Sequence, residues 1–117
     1  MIEMCEEMKK LRSLLDVKGV EWTDESSICS EQMINECLKF YDDKISRRML
    51  DTTIYRTHFI VNNHRCSAIY GYGTYGGYDP IFNQDSGLLE LMPDLDNMGD
   101  PIGFLTAEEV IQKCFGD

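Results

Sequence analysis

"TTIYRTHFIVNNHRCSAIYGY", residues 52–72, is the stretch whose pattern sets the fold. Apolar and polar residues alternate on both sides of Asn62-Asn63, the period of a half-buried β-strand. An Asn-Asn pair tolerates positive φ, which a two-residue hairpin turn requires. With those two residues as the turn, Val61 faces His64, Phe59 faces Cys66, Thr57 faces Ala68 and Tyr55 faces Tyr70. One hairpin face then carries Tyr55, Phe59, Val61, Cys66, Ala68 and Tyr70, a set suited to a core. The other carries Ile54, Arg56, His58, Ile60, Arg65, Ser67 and Ile69. A slip of one residue would exchange the two faces, so the turn fixes the assignment.

Helical patterns flank the hairpin. In "IEMCEEMKKLRSLLDVKG", residues 2–19, Met4, Met8, Leu11 and Leu15 recur at helical spacing, acids precede bases, and Gly19 is placed to stop the helix. "VEWT", residues 20–23, reads as a short strand or an extended connection, with the single tryptophan, Trp22, anchoring the core. Ser30 suits an N-cap, and Met33, Ile34, Cys37, Leu38 and Tyr41 form the buried stripe expected of a second helix. That helix fades near "DDKISRRML", where Lys44, Arg47 and Arg48 make a basic patch. "LLELM", residues 88–92, reads as a third strand and "PDLDNMGDPIG" as a loop. Thr106 and Glu109 form a capping box, Leu105 can staple to Val110, and Val110, Ile111, Cys114 and Phe115 point inward. The order α-α-β-β-β-α argues an α+β fold, with helices on one face of a small antiparallel sheet of about three strands. At 117 residues the chain, 1–117, makes one domain.

After the hairpin comes "IYGYGTYGGYDPIF", residues 69–82, in which Gly71, Gly73 and Gly76 spell G-x-G-x-x-G. A dinucleotide site needs that pattern to end a parallel strand and open a helix whose N–H groups hold the pyrophosphate. Here Pro80 and turn residues follow, with no helical period and no β-α-β spacing. No G-K-[ST] follows either, which excludes a P-loop. What remains is a long loop, 71–87, interleaving Tyr72, Tyr75 and Tyr78 with glycine and carrying Asp79, Asn83, Gln84 and Asp85. Tyrosine and glycine together supply amphipathic contact area at low entropic cost, as binding loops do. A structural loop with its tyrosines laid on the domain is the alternative.

Composition bounds the function. Eleven bases against twenty-one acids give a net charge of −10. Residues 1–43 carry −6, residues 44–66 carry +4 and residues 67–117 carry −8. Such a surface argues against direct binding of nucleic acid, which needs clustered Lys and Arg, and favours a basic partner. No apolar run approaches the ~20 residues of a membrane span. The acids in "MIEMCEEMKK" do not suit a signal peptide. Five cysteines without a C-x-x-C pair read as reduced thiols in a cytoplasmic protein.

These features bear on three chemical readings. Asp94, Asp96 and Gly99 fit the first, third and sixth positions of an EF-hand loop, but Met98 and Leu105 stand where oxygen ligands are required. Cys66 and His58 lie on neighbouring strands yet point to opposite faces, so no Cys–His nucleophile forms. Arg56, His58, Arg65 and Ser67 share a face and form an alternative ligand site, suited to a phosphorylated or nucleotide-like signal. No catalytic residue, metal or cofactor is expected.

The segments "RTHF", "YGYGTYGGYD", "GLLEL" and "PIGFLTAEEV", spread over residues 56–110, resemble small acidic proteins carried by phages and prophages. That class includes anti-CRISPR and other anti-defence inhibitors, and no catalytic motif carries over from it. The resemblance implies a non-enzymatic inhibitor acting in the host cytoplasm on a CRISPR effector nuclease, whose nucleic-acid channel is basic. The contacts expected are Tyr72, Tyr75, Tyr78, Asp79, Asp85, Asp94, Asp96 and Asp100.

Overall fold

The computed structural model describes residues 2–41, 47–79, 81, 82, 84–93 and 100–116. Helix α1 spans Glu6–Val17 and buries Met8, Leu11 and Leu15, one stripe at helical spacing. Its end is closed at Gly19, where φ is +72° and the following Val20 N–H donates to the Leu15 carbonyl at 2.9 Å. Strand β1, Trp22–Asp24, comes next, then helices α2, Glu31–Leu38, and α3, Arg47–Leu50. The hairpin follows as β2, Ile54–Val61, and β3, His64–Gly71. Two-residue strands β4, Tyr78–Asp79, and β5, Gln84–Asp85, make a separate small hairpin. Strands β6, Leu89–Met92, and β7, Ile102–Leu105, lead to α4, Ala107–Phe115.

The β2–β3 register is the expected one, from Val61 opposite His64 to Tyr55 opposite Tyr70. Both turn residues hold positive φ, Asn62 at 49° and Asn63 at 68°, the pair of values a type I′ turn needs. The whole expected core face is buried. It packs with Leu89, Leu91 and Leu105 against α1 and against Ala107, Val110 and Ile111 of α4. The chain is therefore α+β, with α1 and α4 side by side on one face of an antiparallel sheet ordered β1-β2-β3-β6-β7. Arg12 ties α1 to the sheet edge: it lies over the Trp22 ring at 4.7 Å, pairs with Asp24 at 3.3 Å and donates to the Thr57 hydroxyl at 2.8 Å.

The sheet is larger than the sequence pattern indicates, with five strands and the β4–β5 pair in place of about three. "VEWT" does supply an edge strand. Strand β7 falls where a loop ending at Gly103 was expected. Between the pairs Leu91–Ile102 and Leu89–Leu105, the single residue Glu90 stands opposite two, Gly103 and Phe104. That bulge lets Ile102 and Leu105, three positions apart, both reach the core side, and so erases the period of two. The second correction concerns α2. Ser30 caps it as expected, accepting from the Met33 N–H at 3.1 Å. Of its predicted buried stripe only Ile34 is buried and Leu38 half-buried; Met33, Cys37 and Tyr41 are exposed. The helix packs on α3 beyond the sheet, held by Arg47 bonded to Glu31 and Asn35 and by the Cys29 N–H on the Thr53 hydroxyl. Lys44 lies outside the described residues.

Candidate functional site

The glycine run closes on itself. The Thr74 hydroxyl accepts from the Gly71 N–H and donates to the Gly71 carbonyl, both at 3.1 Å. The Gly73 N–H reaches the Tyr78 carbonyl at 2.7 Å and the Gly77 N–H the Thr74 carbonyl at 3.1 Å. The N–H groups of Gly71, Gly73 and Gly77 are thus spent inside the loop rather than turned toward a phosphate. The glycines have steric work instead. At Gly71, φ is +150° and a Cβ would sit 2.1 Å from the Thr53 carbonyl oxygen. A Cβ on Gly76 would lie 3.0 Å from the Phe104 backbone, and one on Gly103 2.3 Å from the Tyr75 Cβ. The loop is thereby stitched to β7, with the Phe104 N–H donating to the Tyr75 carbonyl at 3.1 Å.

This stitching sorts the three tyrosines. Tyr78 is fully buried, opposite Asp85 in the β4–β5 pair and bridged to Tyr72, so it is no partner contact. Tyr72 is half-buried. Tyr75 is exposed, beside a cavity of about 330 Å³ lined by residues 73–77, Asp79, Ile81, Gln84, Ser86 and Phe104. Ile81 and Phe82 stand out at 84% and 70% exposure, and Phe104 at 60%. Phe104 is also the bulge residue, held at a φ of +59°. Sequence reasoning missed Ile81, Phe82 and Phe104; the signal available was two adjacent apolar residues after Asp79-Pro80, inside a turn-rich segment.

The expected acidic contacts fare differently. Asp79 accepts from the N–H groups of Ile81 and Phe82, at 2.9 and 3.3 Å, and so holds up the apolar tip. Asp85 accepts from the Tyr70 hydroxyl at 2.6 Å and the Gly87 N–H at 2.9 Å. Both carboxylates brace turns while adding negative charge beside the cavity. Asp100 is exposed, and Asp94 and Asp96 lie outside the described residues.

The second sheet face gathers part of the alternative set. Arg56, His58 and Ser67 line a cavity of about 310 Å³ together with Glu25, Ile69, Glu90 and Met92. Arg65, opposite Ile60 near the hairpin turn, is not among the lining residues. Glu90, unrecognised in "GLLEL", is buried and accepts the Tyr75 N–H at 2.9 Å. The signal was present: a charge between Leu89 and Leu91 must face away from the core.

Three of the five thiols, Cys5, Cys66 and Cys114, are at least partly buried against the core. Cys66 lies in the core with its thiol 3.0 Å from the Pro93 carbonyl. Its hydrogen bond with Cys114, with burial, holds the Cys114 thiol far above the ordinary range. Burial raises Cys5 as well. Among the described residues no three His, Cys, Asp or Glu side chains are grouped to hold a metal ion, and no helix is long and apolar enough to cross a membrane. Comparison of the chain with protein-family models, with curated proteins and with solved structures gives no match.

Proposed function

We propose that the chain is a non-catalytic inhibitor that docks on a basic partner protein through the end of the sheet bearing Tyr75, Ile81, Phe82 and Phe104. The observation that supports it most is Phe104. A bulky residue at positive φ costs about 1–3 kcal/mol, and here the strain holds an aromatic ring out at the rim of an apolar cavity. Aromatic anchors around a pocket are the usual centre of a protein interface. The charge selects the partner: −10 overall, with Asp79 and Asp85 next to the anchors, matches a cationic surface and speeds association with it.

The partner we propose is an effector nuclease of host defence, occupied along its basic nucleic-acid channel. This follows from the resemblance to phage anti-defence proteins together with the charge. The test is competition on a purified CRISPR effector loaded with guide RNA. Added protein is expected to reduce target-DNA binding in proportion to its occupancy. Unchanged DNA binding at saturating protein would reject that partner.

A further inference from the structure

We infer that the open sheet face carries a second, independent binding site for a small zwitterion whose carboxylate and ammonium are separated by an apolar spacer. Three neighbouring strands set the geometry. Arg56 on β2 is paired with Ile69 on β3, and Ile69 with Glu90 on β6. A cation and an anion therefore stand on either side of an isoleucine, two strand spacings or about 10 Å apart at the backbone. The adjoining row places His58 opposite Ser67.

The charges in this cavity are not already matched. Among the described residues no ion pair engages Arg56, Glu25 or Glu90. Glu90 is only 8% exposed, with one oxygen on the Tyr75 N–H, so its carboxylate has given up most of its water without gaining a cation. Burying a carboxylate in this way is costly unless a partner completes it. An ammonium at Glu90 supplies that partner, and a carboxylate at the other end meets the Arg56 guanidinium. The spacer lies over Ile69, while the hydroxyl of Ser67 and the imidazole of His58 flank it.

Lining charge also decides against the phosphorylated signal expected from Arg56, His58, Arg65 and Ser67. Arg65 is not part of the lining, and two carboxylates, Glu25 and Glu90, stand there against the one guanidinium of Arg56. A phosphate would meet net repulsion. A simple diamine would satisfy Glu90 and leave Arg56 unmatched.

The test is calorimetric titration of the full chain with γ-aminobutyrate, δ-aminovalerate and ε-aminocaproate. Hexanoate, hexylamine and inorganic phosphate serve as the single-charge comparisons. At least one ω-amino acid is expected to bind at one site per chain, about tenfold or more tighter than hexanoate or hexylamine. Arg56→Gln and Glu90→Gln should each weaken it by about tenfold, and Glu90→Gln keeps an acceptor for the Tyr75 N–H. Arg56→Lys, which retains the charge, should weaken it less and guards against a folding defect in Arg56→Gln. Absence of saturable binding across the series would overturn the site. So would single-charge ligands binding as well as the zwitterions, or phosphate binding more tightly than they do.

Discussion

Phe104 adopts a backbone conformation that glycine would take at almost no cost. Replacing it by glycine should therefore raise unfolding stability by about 1 kcal/mol while removing the anchor from the cavity rim. Denaturant unfolding measures the first effect and partner affinity the second; a loss of stability would show that the ring is needed by the fold. Gly103→Ala tests the neighbouring contact. Its Cβ would collide with Tyr75, and the expected loss is about 1–3 kcal/mol. The cysteines give a chemical check. Exposed Cys37 should react first with a thiol reagent, while buried Cys66 stays unmodified until the chain unfolds and half-buried Cys114, its thiol held protonated, reacts more slowly than Cys37. Asp24 adds a small pH effect. Hydrogen bonds from the Ser26 hydroxyl and backbone, with Arg12 nearby, hold its carboxyl below the usual range. A depressed folded-state value contributes stability at neutral pH that is lost as the pH falls below about 4. Ser26→Ala should diminish that acid sensitivity in pH-dependent unfolding.

At the scale of elements, the capping box of α4 is the clearest local device. The Thr106 hydroxyl accepts from the Glu109 N–H, and the Glu109 carboxylate accepts from the Thr106 N–H. Thr106→Ala should cost about 1 kcal/mol, read as a lower midpoint in chemical denaturation. That box and the β2–β3 hairpin were legible in the sequence because each rests on a short-range rule: a side chain reaching a neighbouring N–H, or two asparagines at positive φ. Strand β7 was not, because its bulge breaks the alternation. Tyr78 was placed among the expected contacts because glycine-rich loops look alike on paper, whether they project or fold back. The stripe on α2 has the right spacing, yet spacing cannot say whether a partner surface lies opposite. The two cavities were half legible. Arg56, His58 and Ser67 followed from the register, whereas Glu25 and Glu90 needed the β1 and β6 pairings.

For the molecule as a whole, shape and charge act together. Its extents are 49 × 26 × 24 Å, and its radius of gyration of 15.4 Å exceeds the ~13 Å of a rounded domain this size. In the proposed mode of docking, the −10 charge would supply long-range attraction to a cationic surface and the exposed aromatic end contact at short range. Attraction of this kind must weaken with salt, and anchoring must fail when the anchors go. The most direct measurement is the affinity for the purified effector nuclease at low and high salt, taken for the native chain and for a folded Tyr75→Ser, Phe104→Gly double variant. The native chain should bind at low salt and lose most of its affinity at high salt, and the double variant should fail to bind at either. Binding that ignores salt, or that survives in the double variant, would contradict the account.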